Sequence, residues 1–180
     1  MLNMHGLEVI HSHRIPTHGG SIRVFAARKG TQETQLSVQT ILAEEDKMGL
    51  HAFEQFKHRV TNSKLQLYAL LSTIKRNGER IYGIGAPSRA STLINYLGLD
   101  DGIIDCVLEV KDSYKVNKYM PGTMIPVLDE IKLLEDQPEY AMLLSWHIAE
   151  ELIPKLTQKG FKGQYIVPLP IPHIVKGITT

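Results

Sequence analysis

Two rhythms of apolar and polar positions run along this chain. Over residues 6–30 the rhythm is alternation. Leu7, Val9, His11 and His13 interleave with Glu8, Ile10, Ser12 and Arg14, and Ile22, Val24 and Ala26 repeat the pattern over residues 21–28. Period two predicts strands, and Pro16-Thr17-His18-Gly19-Gly20 between them supplies turn chemistry, so residues 6–28 are predicted to form a β-hairpin. A two-stranded ribbon is marginal in water, so this hairpin needs a larger sheet to join. The second rhythm is helical. Phe53, Phe56, Val60, Leu67, Leu70, Leu71 and Ile74 fall largely three and four apart, predicting a long helix over 50–77 with Gly78 just past its end. A shorter helix is predicted over 36–47.

Beyond Gly78 the two rhythms alternate. Strands are predicted at 80–85, 103–110, 124–127, 140–144 and 164–167, with helices at 88–97, 129–134 and 148–159. Residues 112–122 read as a polar loop, and the proline-rich "PLPIPHIV" is read as leaving the sheet. Residues 103–110 are apolar on consecutive positions, as suits a strand covered on both faces. The predicted fold class is α/β: a small Rossmann-like parallel sheet with helices on both faces, preceded by a β-hairpin and a long helix. The expected divisions are 1–30, 31–78 and 79–180.

Composition narrows the function classes. The chain has 180 residues, 43% hydrophobic and 22% charged, with a net charge of +1, so nothing marks a nucleic-acid binder. A single cysteine, Cys106, excludes an internal disulfide and a zinc site built from several thiolates of this chain. It lies in an apolar run and is expected to be a small core residue. No apolar run is long enough to span a bilayer and residues 1–20 are too polar for a signal peptide, so a cytoplasmic protein is expected.

Candidate chemistry gathers at the predicted strand ends. "YGIGAPSRASTLINYLGLD" places Gly85, Ala86, Pro87, Ser88 and Arg89 where a parallel strand turns into a helix. Ser88 is a candidate helix cap and Arg89 a candidate phosphate partner. The G-x-G-x-x-G fingerprint is incomplete, with Ser88 at its third position, which disfavours a self-sufficient dehydrogenase. The turn either holds a ligand or only closes a strand–helix connection. Glu109, at the end of the next strand, suits a ribose hydroxyl, or belongs with Lys111, Lys115 and Lys118 to a solvated loop that runs on to Tyr119. Trp146 and His147 follow a later strand, either on the same rim or as a core residue and a helix start. Thr17-His18-Gly19-Gly20-Ser21 holds a histidine in a setting richer than a turn requires. His11, His13 and His18 lack a carboxylate at ligand spacing, so no metal site is expected.

Taken together, "HGGSIRVFAAR", "YGIGAPSRASTLINYLGL", "KYMPGTMIPV" and "GQYIVPLPIP", in this order, resemble the C-terminal part of bacterial S-adenosylmethionine-dependent nucleotide-sugar C-methyltransferases. The resemblance covers nearly the whole chain. It implies a parent with an N-terminal zinc domain, a central class I methyltransferase domain and a C-terminal Rossmann-like domain. The hairpin would then be the last two strands of the central domain. The implied chemistry is deprotonation beside a ketone of a nucleotide-linked keto-deoxysugar, such as a dTDP-sugar, followed by methyl transfer from the sulfonium. Such a step needs a general base and a stabilised oxyanion.

The resemblance also implies what is lacking. The glycine-rich loop for S-adenosylmethionine, the cysteine cluster and the catalytic residues fall outside this sequence. Its residues are therefore expected to be substrate-binding rather than catalytic: His18, Gly19, Gly20, Gly85, Ala86, Pro87, Ser88, Arg89, Glu109, Tyr119, Trp146 and His147. Two positions depart from the family pattern: His147 where asparagine is expected, and Glu109 where aspartate is commoner. The chain alone is expected to be inactive, to bind S-adenosylmethionine weakly if at all, and to be a C-terminal fragment or split subunit. Its hairpin is expected to be mobile or paired with a second copy. The competing class is a non-catalytic nucleotide-binding or scaffold module.

Overall fold

The alternating stretch forms the hairpin. Strands β1 (Leu7–Ile15) and β2 (Ser21–Arg28) pair antiparallel. Between them Thr17–Gly19 makes a short 3-10 turn. The alternation is interrupted by a register shift between Val9 and His11. The carbonyl of Ile10 at this bulge accepts a hydrogen bond from Gln35 N (2.8 Å), just ahead of helix α1 (Leu36–Asp46). His11 Nδ1 lies 2.7 Å from Ser37 Oγ, and His13 Nδ1 lies 3.1 Å from His11 Nε2. Both rings lean on Phe25, with centroids 5.4 and 5.9 Å away.

The computed structural model describes residues 1–177, the side chain of His18 excepted; residues 178–180 of the expected C-terminal domain lie outside it. The chain divides into two compact units, Met1–His58 and Arg59–Thr180. The division falls inside helix α2 (Gly49–Arg76). Among the described residues, every fully buried apolar side chain lies between Leu67 and Val167. The first unit therefore buries no apolar side chain completely. Ile22, Val24, Phe25, Leu50, Phe53 and Phe56 are all exposed, the last two at 69% and 59%.

The second unit holds the sheet. After α2 come β3 (Ile81–Ile84), α3 (Ser88–Leu97), β4 (Cys106–Glu109), β5 (Lys118–Tyr119), β6 (Pro126–Asp129), α4 (Lys132–Asp136), β7 (Tyr140–Leu143), α5 (Ala149–Gln158), β8 (Gln164–Val167) and β9 (His173–Lys176). The spatial order is β5-β6-β4-β3-β7-β8-β9. The inner strands pair in parallel, and β5 and β9 are antiparallel edges. Taken in chain order, the parallel strands lie 3-2-1-4-5, so the order reverses at β3.

Strict alternation sorts the buried side chains onto two faces. Val107, Met142, Leu144 and Ile166 join Leu67, Leu71 and Ile74 of α2 and Ala90, Leu93, Ile94 and Leu97 of α3. Cys106, Leu108, Ala141, Leu143, Tyr165 and Val167 join Leu133 of α4 and Leu156 of α5 on the other face. Cys106 is 3% exposed, and burial, helped by nearby Asp105 and Asp136, pushes its thiol up to about 12. No helix among the described residues is long and apolar enough to cross a membrane.

Two segments differ from the sequence reading. The proline-rich segment does not leave the sheet: it turns and returns as β9, which covers the open edge of β8. Its prolines precede the strand, so every N–H that the edge pairing needs is present. Likewise the expected polar loop at 112–122 contains the edge strand β5.

Substitutions should separate the buried half of α2 from its exposed half. Leu71→Ala is expected to cost about 2–5 kcal/mol in urea unfolding, whereas Phe53→Ala should stay within about 0.5 kcal/mol. Equal losses at both positions would contradict this division.

Candidate functional site

In a sheet of this order the carboxyl ends of the strands around the reversal form the expected ligand rim. Here that rim is made by the segments after β3, β4 and β7, all within the second unit. Gly85 leaves β3 with φ +81°, a conformation that disfavours any side chain, and its N–H donates to Leu108 O (2.7 Å). Ala86 is buried and Pro87 occupies the N-cap position of α3. Ser88 does not cap the helix as expected: it is the exposed first helical residue, and no side chain caps this end. Among the N-terminal N–H groups of α3, that of Ala90 donates to Pro87 O (2.9 Å), and no cap side chain accepts from the others.

Arg89 is half-buried and fixed from two sides. Its guanidinium carbon lies 5.8 Å from the centre of the Trp146 ring, and its Nη1 lies 3.2 Å from His147 Nδ1. A guanidinium only donates, so His147 accepts at Nδ1 and carries its ring proton at Nε2. This contact brings two of the expected rim segments together. Trp146 also packs against both core clusters, so it belongs to the core and the rim at once.

Glu109 is held by a network that the sequence reading missed. Its Oε2 accepts from Ala86 N (3.1 Å) and from Lys115 Nζ (3.3 Å), and its Oε1 accepts from Val110 N (3.0 Å). Lys115 Nζ also donates to Ala86 O (2.9 Å). Lys115 thus braces the turn after β3 rather than standing in solvent. Burial opposes ionisation of Glu109. The N–H groups of Val110 and Ala86 and the Lys115 ammonium outweigh it and hold the carboxyl below its ordinary range. The only sequence signal for this brace was a lysine six residues after a strand-ending acid, which many solvated loops share.

The remaining expected residues lie elsewhere. Tyr119 is exposed on β5 opposite Pro126, the first residue of β6, and so lies at the other end of that strand from the rim. Gly19 and Gly20 belong to the first unit, as does His18, whose side chain lies outside the described residues. Among the described residues no cluster of three or more His, Cys, Asp or Glu could hold a metal ion.

Beside the turn, on the α4 and α5 face, a crevice of about 530 Å3 opens over the ends of β3 and β4. Ile84 and Leu108 line it from the sheet and Ile148, Leu152 and Leu156 from the α5 side, with Gly85, Glu109 and Ser145 also among its walls. A volume of this size suits a small organic molecule.

Residues 16–170 match the family described as the C-methyltransferase C-terminal domain. The chain is also 31% identical, over 187 aligned positions, to the C-methyltransferase NovU of Streptomyces niveus. That alignment covers 100% of this chain and 44% of NovU, so the chain spans less than half the length of this curated relative.

The brace makes a titration prediction. Lys115→Ala should raise the Glu109 pKa, read from its side-chain carboxyl in a carbon NMR titration. The folded-state value lies below the unfolded one, so Glu109 stabilises the fold above its unfolded pKa. That contribution is lost as pH falls through the folded value. The variant should lose part of this pH dependence. An unmoved Glu109 titration would show that Lys115 contributes nothing to the charge of the site.

Proposed function

We propose that this chain, which belongs to the family of C-methyltransferase C-terminal domains, forms the substrate-holding part of an S-adenosylmethionine-dependent C-methyltransferase acting on a nucleotide-linked keto-deoxysugar. On this reading it holds the nucleotide end of the substrate. The methyl donor, the general base and the oxyanion partner belong to the rest of the enzyme. The observation that carries the proposal is the fixed Arg89 guanidinium beside the uncapped start of α3, at the point where strand order reverses. Helix N–H groups and a guanidinium both favour an anion, and a diphosphate supplies one.

The residues of this rim do not fit S-adenosylmethionine. A sulfonium is a cation and would meet the Arg89 guanidinium. Gly83, the first glycine of the incomplete fingerprint, is spent on packing: a Cβ there would lie 2.9 Å from both Val107 Cγ2 and Leu144 Cδ1. Glu109 is already engaged by Ala86, Val110 and Lys115. No step of methyl transfer is therefore assigned to this chain. What it contributes is position: Arg89 and α3 fix the diphosphate, so that the sugar is presented from a constant anchor.

The first unit fits the same reading. A hairpin that pairs with no further strand among the described residues and has no fully buried apolar residue is incomplete by itself. We assign its missing sheet to the methyltransferase part of the parent enzyme, whether on the same polypeptide or on a separate one.

Titrating thymidine diphosphate into the isotope-labelled chain should shift the amides of residues 85–89. Arg89→Ala should weaken that binding about 10- to 100-fold, the usual worth of a charge-assisted hydrogen bond. The chain alone, given labelled S-adenosylmethionine and a nucleotide-linked ketosugar, should show no turnover. Saturating diphosphate binding that leaves residues 85–89 unmoved, or turnover above background, would overturn the proposal.

A further inference from the structure

The bulge in β1 gathers a cluster that the substrate reading leaves unused. His11 and His13 lie two apart on one strand and so share a face. Phe25, the cross-strand partner of His11, packs against both rings, which are partly buried. The start of α1 is fastened to the same place. Gln35 N donates to Ile10 O (2.8 Å), and buried Ser12 reaches Ser37 twice, with its N–H on Oγ (3.4 Å) and its hydroxyl on the carbonyl (3.5 Å). Ser37 Oγ is thereby held 2.7 Å from His11 Nδ1.

On the other side of the His11 ring, Nε2 lies 3.1 Å from His13 Nδ1. Two imidazole nitrogens this close cannot both face each other as bare lone pairs, nor both carry hydrogen, so one proton sits between them. Two lone pairs that share a proton can share a metal ion in its place. Nitrogen–metal bonds of about 2.0–2.1 Å, meeting at about 90–109° from square-planar to tetrahedral, put the two nitrogens about 2.8–3.4 Å apart. The separation in this chain, 3.1 Å, falls inside that window.

Ser37 decides which nitrogen His11 offers. With Ser37 Oγ accepting from Nδ1–H, His11 turns its lone pair out at Nε2, and an outer partner of this kind is how ligating histidines are oriented. His13 offers Nδ1 and keeps its ring proton at Nε2. The charges around the pair leave it to the imidazoles. Glu44 of α1 is taken by Arg14 (2.9 Å), and Arg23, opposite His13 on β2, is exposed and free to turn into water. Imidazole donors suit copper, nickel or zinc, whereas magnesium and calcium take oxygen.

We propose that His11 Nε2 and His13 Nδ1 chelate one divalent transition-metal ion, oriented by Ser37, with water in the remaining positions. The sequence pattern argued against a metal because no carboxylate stands at ligand spacing, but two imidazoles make a smaller ligand set that needs none. The ion takes the place of the shared proton. That proton moves through solvent from His13 Nδ1 to Nε2, so the neutral pair loses none. Bound there, the ion ties β1 to α1 through Ser37, in a unit that buries no apolar side chain completely, and stabilises it by mass action. The site is separate from the rim and stands or falls independently of the diphosphate reading.

The test uses the full chain and the ions alone: Zn2+, Cu2+ and Mg2+. In an NMR titration Zn2+ should saturably shift the ring signals of His11 and His13 and the amide of Ser37. Cu2+ at low stoichiometry should broaden those two rings ahead of the other histidines and bind more tightly than Zn2+, while Mg2+ should leave them unmoved. These readings need no variant. His13→Gln should weaken Zn2+ at least about tenfold, and Ser37→Ala about 10- to 100-fold. No saturation by Zn2+ at about 1 mM, Cu2+ broadening spread evenly over the histidines, or a His13→Gln chain that binds Zn2+ normally would overturn the chelate. Unchanged Zn2+ affinity in Ser37→Ala would overturn the orienting role of the hydroxyl.

Discussion

Gly83 is the point on which the second unit closes. It sits mid-strand in β3, with β4 on one side and β7 on the other. The side chains of Val107 and Leu144 approach from these two neighbours over the space that a Cβ would fill. Even alanine there would force two buried residues apart, in a core with little slack. Parallel pairing keeps the three strand ends in hydrogen-bonded step: Gly85 N reaches Leu108 O, and Leu144 N reaches Ile84 O. The rim inherits that alignment. At the amino ends, carboxylates perform the corresponding task. Asp105 accepts from Ile81 N and from Lys75, and Glu139 accepts from Arg80 N and its guanidinium, which holds the Glu139 carboxyl down at about 2.

Much of this was legible because periodicity carries burial. Residues 88–97 and 164–167 were read with their observed bounds, and the family resemblance read from four short motifs agrees with the match over residues 16–170. The losses have physical causes. β9 was hidden because Pro168, Pro170 and Pro172 stand directly before His173–Lys176 and read as an exit from the sheet, although they act only on the residues before the strand. β5, two residues long, exists only through its pairing with β6. Phe53 and Phe56 fit the helical stripe yet lie exposed, since the stripe says which face is apolar, not what covers it.

The candidate site was legible in place but not in wiring. A turn after a parallel strand predicts a rim; that rule makes Gly85 to Arg89, Glu109, Trp146 and His147 candidates, and the family resemblance assigns them to substrate binding. Which of these touch one another depends on strand order, and strand order is not written locally. The reversal at β3 brings the segment after β7 against the start of α3, which converts Arg89 and His147 from separate candidates into a hydrogen-bonded pair. Lys115 was undervalued for the same reason: its partners, Ala86 O and Glu109 Oε2, lie on two different strand ends.

The rim's charge bears on how a methyl transfer could be divided between two surfaces. A diphosphate needs donors and positive charge, while a sulfonium needs acceptors and freedom from positive charge. In a partly buried cleft, where the effective dielectric falls well below that of water, like charges a few ångströms apart interact by several kcal/mol (about 4 kcal/mol at 4 Å for an effective dielectric near 20). One surface therefore serves both ligands poorly. On the reading proposed above, a rim built around Arg89, held by Trp146 and His147 and backed by a helix start, serves the anion. Such a commitment leaves the cationic donor to a surface of opposite character. In that proposal a substrate anchored by its diphosphate tail reaches that surface with its sugar, without either ligand entering the other's field.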